Sequence, residues 1–109
     1  MSSGLSGTFG AARLAASELT ELYPERKIYC VDSRSGCGGI GLALYLAALK
    51  KEEGADIEAN HAYISDVCKR LQSWFSVDDL FFLKRGGRLS SSTAIVGSLL
   101  MIKPILTAD

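Results

Sequence analysis

The chain has little of what several functional classes require. It carries one histidine, His61, and three cysteines, Cys30, Cys37 and Cys68, none of them in a CxxC pair. A zinc ribbon or a secreted disulfide framework needs cysteines paired at short spacing, so both are excluded and free thiols in a reducing cytoplasm are expected. No metal site is expected either. Charge of one sign is also missing: 12 basic residues balance 12 acidic ones, with no run of like charges. A nucleic-acid partner would call for a basic stripe and a lipid-headgroup anchor for a polybasic cluster. The longest apolar stretch, residues 40–49, falls well short of the roughly 20 residues that span a bilayer. The first residues are serine and glycine rather than a basic start followed by an apolar block, which argues against a signal peptide. The expectation is a cytoplasmic protein with no nucleic-acid partner and no stable membrane insertion.

What is present suits a packed domain. Hydrophobic residues make up 48% of 109 positions, and helical and strand-like patterns alternate, as in an α/β fold whose parallel sheet is flanked by helices. Phe9, Ala12, Ala16, Leu19 and Tyr23 recur at helical steps, and Pro24 with the charged residues after it ends that helix. Residues 27–31, Lys-Ile-Tyr-Cys-Val, predict a short strand. A glycine-rich turn at 36–41 leads into a helix over 40–53 that is apolar nearly all round and is expected to be buried, with Gly54 as its stop. Ile57, Ile64, Val67 and Leu71 mark a third helix with Asp56 near its start. A strand over 73–77, a short helix over 78–84, a turn at 85–88 and a last helix over 93–101, capped from Ser90, Ser91 or Ser92, complete the pattern. Pro104 ends that helix, and Ile105 and Leu106 begin another strand.

The ends look incomplete. The chain opens on a turn of the kind that follows a strand and closes on Lys103-Pro-Ile-Leu-Thr-Ala-Asp109, which resembles the lead-in to more structure. The chain is therefore read as a fragment, or as one that borrows strands from a partner. Self-association through exposed edges is expected of such a fragment.

Four constellations carry chemistry. Ser2-Ser-Gly-Leu-Ser-Gly-Thr8 places hydroxyls and glycines just before an amphipathic helix. Such a turn suits a carboxylate or phosphate, because glycine admits close approach and the helix end presents partly positive N–H groups. The competing reading is simple helix capping. Gly4-Leu-Ser-Gly7 comes close to a nucleophile elbow, but its second glycine falls one residue early and His61 would have to be the base. Gly36-Cys-Gly-Gly-Ile-Gly41 satisfies the dinucleotide spacing G-x-G-x-x-G, yet the preceding strand ends too soon for the tight turn that site needs. The alternative is that these glycines let a helix pack closely. Arg85-Gly-Gly-Arg88 sets two guanidinium groups at a turn, either solvated or available to a partner.

Taken in order, Ser2-Ser-Gly-Leu-Ser-Gly-Thr8, Val31-Asp-Ser33, Phe75-Ser-Val-Asp-Asp-Leu80, Gly86-Gly-Arg-Leu-Ser90 and Gly97-Ser-Leu-Leu-Met-Ile-Lys-Pro104 resemble the DegV family of bacterial fatty-acid-binding proteins. The resemblance implies a carrier rather than an enzyme, with no catalytic residue and no cofactor. Its ligand would be a long-chain fatty acid, presented to a separate ATP-dependent fatty acid kinase that forms the acyl phosphate. It further implies that residues 1–102 are part of a first α/β domain lacking its first strands and 103–109 the start of a second, that Ser3, then Ser2, line the carboxylate end together with Gly4, Ser6 and Thr8, and that Arg88 faces the kinase. A serine hydrolase, a nucleotide-binding protein and an inactive structural piece are the alternatives.

Overall fold

The computed structural model describes residues 1–89 and 105–108. Helices and strands follow in the order α1 (Thr8–Leu22), α2 (Cys37–Glu52), α3 (Ile57–Arg70), β1 (Ser73–Phe75), α4 (Leu80–Arg85) and β2 (Leu106–Ala108). The chain divides into two compact units, Met1–Ser73 with Ala108–Asp109, and Trp74–Thr107.

The first unit is built on α2 against α3. Ala43, Ile64, Val67 and Cys68 form its buried core, with Val31, Leu46, Ala47, Tyr63 and Leu71 packed around them. Val67 and Cys68 lie one helical turn beyond Ile64, so α3 turns a single apolar stripe inward. Burying the Ile64 and Val67 side chains contributes about 1.5–3 kcal/mol each. The α3 end is fixed locally: the Asp56 side chain accepts from the Ala59 N–H at 2.8 Å, satisfying one of the unpaired amides of the first turn. At the end of α2, Gly54 takes φ +91, its N–H donates to the Lys51 carbonyl and the Ala55 N–H to the Lys50 carbonyl. That pair of bonds is the glycine-terminated helix stop the sequence predicts.

The second unit holds α4 and most of the strand residues, with β1 and β2 paired as a two-stranded sheet. Asp79 caps α4 by accepting from the Phe81 N–H at 2.8 Å, and Leu80 is its buried residue. Gly87, at φ +72, donates to the Lys84 carbonyl while the Arg88 N–H reaches the Leu83 carbonyl. The same geometry therefore ends both α2 and α4.

Several expectations need correction. Helix α2 starts at Cys37, and its all-round apolar surface is not all buried. Ala43 is its buried residue, whereas Leu44 is 67% and Tyr45 61% exposed, because only the stripe facing α3 finds apolar neighbours. Helix α1 has no buried residue, and Ile57 of α3 is exposed too. Residues 27–31 form no strand. A strand exists by pairing, and among the described residues no neighbouring strand is laddered to this segment. The strand expected over 73–77 is shorter, at Ser73–Phe75. The helix expected over 93–101 and the boundary at 102/103 lie outside the described residues.

Candidate functional site

The turn at residues 2–8 is shaped by its own hydroxyls. The Gly4 N–H donates to Ser2 Oγ at 3.2 Å, and the Thr8 N–H donates to Ser6 Oγ at 3.2 Å. Each serine thus stands in for a backbone carbonyl two residues on, which is why short hydroxyl side chains favour turns. The Ser2 carbonyl accepts from the N–H groups of both Leu5 and Ser6 at 3.1 Å. Ser6 Oγ and Thr8 Oγ1 share a hydrogen bond of 2.7 Å. The residue before α1 is Gly7, which offers no side-chain cap. Ser6, one position earlier, instead takes the N–H of the first residue of the helix.

A second loop, residues 32–35, docks against this turn. The Ser2 N–H donates to the Ser35 carbonyl at 2.8 Å. Asp32 Oδ1 accepts from the Ser3 N–H at 3.1 Å and from the Arg34 N–H at 3.0 Å. Ser33 Oγ donates to the Ser35 carbonyl at 3.1 Å and accepts from the Ser35 N–H at 3.3 Å. The Ser35 hydroxyl in turn bonds that of Ser73. Ser2 and Ser35 are fully buried and Ser33 nearly so. Hydroxyls can be buried this deeply only because each is satisfied within the seam.

Gly39, in the first turn of α2, closes the seam from the other side. A Cβ there would overlap the Ser35 hydroxyl and come within 2.8 Å of Ser35 Cβ and 2.9 Å of Ser73 Oγ. Close packing is thus the role of this glycine. The space it leaves is filled by a serine of the same chain, where a dinucleotide site would receive a phosphate.

Electrostatics agree with the geometry. Partial burial pushes the Asp32 carboxyl up, but hydrogen bonds from the Ser3 side chain and from the Arg34 and Ser3 amides outweigh it and hold the group below its ordinary range. Burial pushes the Cys68 thiol up, and the Asp32 charge adds to that shift.

The structure brings Ser2, Ser3, Gly4, Ser6 and Thr8 together on one turn. Ser2 faces inward, whereas Ser3, Gly4 and Thr8 are exposed and Ser6 is half-buried. Arg88 belongs to the other unit, where its exposed guanidinium bonds the Gly86 carbonyl at 2.5 Å. His61 stacks on Tyr29 with ring centroids 4.5 Å apart. It lines an open groove of about 630 Å³ with Phe9, Arg13 and Ala16 of α1 and with Ile28 and Tyr29. His61 stacks on Tyr29 and Ser6 bonds Thr8, so these two side chains are not paired as a nucleophile and its base. The three cysteines are free, Cys68 buried and Cys37 exposed. Among the described residues, no three His, Cys, Asp or Glu side chains gather as a metal site. No helix among those residues is long and apolar enough to cross a membrane.

Sequence reasoning passed over Asp32, Ser33, Ser35, Ser73 and Gly39 as parts of this site. The signal for the loop was an Asp-Ser-Arg-Ser run, whose first two residues each favour bonding the amide two positions ahead. Nothing local could have pointed to Ser73.

The family described as "Uncharacterised protein, DegV family" matches residues 1–109. The chain belongs to the DegV family. A DegV domain-containing protein of Clostridium perfringens is 46% identical over 96% of this chain and 36% of its own length. A DegV family protein of Thermus thermophilus, described for its fatty acid binding, superposes with a TM-score of 0.80 at 37% identity, covering 100% of this chain and 37% of its own. A DegV family protein of Eubacterium eligens, solved loaded with heptadecanoic acid, gives 0.84 at 28% identity, covering 100% and 40%. This chain therefore spans little more than a third of the length of the relatives it matches.

Proposed function

We propose that this chain is the part of a DegV-type carrier that holds the carboxylate end of a long-chain fatty acid at the turn of residues 2–8. One observation carries the reading: a hydroxyl-rich turn at the amino end of α1, pinned by a buried seam and presenting Ser3 at the surface, in a family whose solved relatives bind fatty acid. An anionic head needs O–H and N–H donors, and its tail needs apolar surface. The exposed apolar residues of α2, such as Leu42, Leu44 and Tyr45, supply candidates for that wall.

In this reading the protein binds and does not catalyse. A partner kinase moves the γ-phosphoryl group of ATP onto a carboxylate oxygen of the bound acid, giving acyl phosphate and ADP. Arg88, on its exposed glycine turn, faces that kinase. The wider arrangement belongs to the same proposal: the chain contributes to a parallel sheet flanked by helices, residues 1–102 belong to a first domain and 103–109 begin a second. The protein works in the cytoplasm, and this segment by itself self-associates through its exposed edges.

The test is Ser3→Ala in the full-length protein. Losing a hydrogen bond to a charged oxygen costs about 1.5–3 kcal/mol, read as a rise in Kd for a fatty acid by titration calorimetry. An unchanged Kd rejects the assignment.

A further inference from the structure

Ser3 is exposed, so no apolar packing holds it in place. What holds it is Asp32: the Ser3 N–H reaches Asp32 Oδ1 at 3.1 Å, and the same oxygen accepts the Arg34 N–H at 3.0 Å. Ser2, by contrast, is anchored through the backbone, its N–H on the Ser35 carbonyl at 2.8 Å. Arg34 takes a left-handed φ of 47, a conformation uncommon for a non-glycine residue, and in it its amide shares the oxygen that binds Ser3. A single carboxylate oxygen therefore ties together two loops that lie 29 residues apart in sequence.

We propose that Asp32 is the positioning residue of the head-group turn, fixing Ser3 for its ligand through one oxygen that also closes its own loop. This inference rests on the proposed carboxylate site and adds a residue to it. Asp32 does not touch the ligand; by taking up the Ser3 N–H it fixes the backbone of the turn and so the place of the Ser3 hydroxyl. Its side-chain oxygen matters more than its charge, because a neutral acceptor in the same place serves both amides.

The test uses the full-length protein and heptadecanoic acid as the probe. Asp32→Ala is expected to weaken binding about tenfold, the loss typical of a hydrogen bond to a charged group, whereas Asp32→Asn, which keeps an acceptor oxygen, stays within about threefold of wild type. The double variant Ser3→Ala/Asp32→Ala should bind no more weakly than the weaker single variant, since coupled residues are not additive. Without ligand, Asp32→Ala should speed amide hydrogen exchange at Ser3, while Asp32→Asn should not. If wild-type protein binds no heptadecanoic acid, or Ser3→Ala binds as well as wild type, the head-group reading falls and this proposal falls with it. Given a weakened Ser3→Ala, four results overturn the positioning role alone: an Asp32→Ala affinity equal to wild type, additive losses, an Asp32→Asn as weak as Asp32→Ala, or unchanged Ser3 exchange.

Discussion

Two regions of the first unit invert the usual division between inside and outside. The seam of Ser2, Ser33 and Ser35 is polar and buried, with Ser2 and Ser35 at 0% exposure, whereas Leu44 and Tyr45 of α2 are apolar and 67% and 61% exposed. Hydropathy alone would place them the other way round. The serines are buried because each of their hydroxyls has a hydrogen-bond partner, which removes most of the cost of leaving water. The α2 residues are exposed because one stripe of that helix suffices to pack on α3. Specific hydrogen bonding thus fixes the seam, while the apolar α2 face is left for whatever apolar surface meets it.

The sharpest way to break this contrast is Gly39→Ala. Ser35 cannot rotate away inside a buried seam, so the loop backbone must shift. The expected loss is about 1–3 kcal/mol, as for other overpacked interiors, seen as a lower urea midpoint. A midpoint equal to wild type would mean that the seam is not closely packed.

Acid offers a second, smaller probe. Asp32 is held below its unfolded-chain value of 3.8, so the unfolded state binds the proton more readily. Its contribution to stability is complete above about pH 4 and is lost as pH falls through the lower folded value. Asp32→Asn should flatten the acid limb of a stability profile below pH 4 while leaving the slope near neutrality unchanged. A wild-type slope in the acid limb of that variant would remove Asp32 from the seam's energetics.

The smallest effect is expected on the apolar side. Leu44→Ser removes an exposed leucine from α2 and should change stability by no more than about 0.5 kcal/mol. A large loss would show that Leu44 is packed after all, and the contrast would collapse.

The parts legible in the sequence were those set by neighbours a few residues apart. Asp56 at the start of α3, Gly54 after α2 and the glycine turn before Arg88 are all local solutions to unpaired helix ends, so residue type and spacing announce them. The hydroxyl turn before α1 was legible for the same reason, since Ser2 and Ser6 bond amides two residues on. Burial of α2 was misjudged because an apolar helix surface does not say how many neighbours it will meet. Residues 27–31 have strand composition and no strand, because pairing is supplied from elsewhere in a fold.

Residue type and spacing therefore settled the presence of the helices of the first unit, the Asp56 cap of α3, the Gly54 stop of α2 and the polar turn in front of α1. It took the packing of the chain to bring Ser35 to Ser73 across 38 positions, with Gly39 leaving room for both, and Asp32 to Ser3 across 29. Caps and turns close within one helical turn, where covalent geometry limits the choices. Contacts across tens of residues depend on how α2 and α3 pack, and no local pattern encodes that.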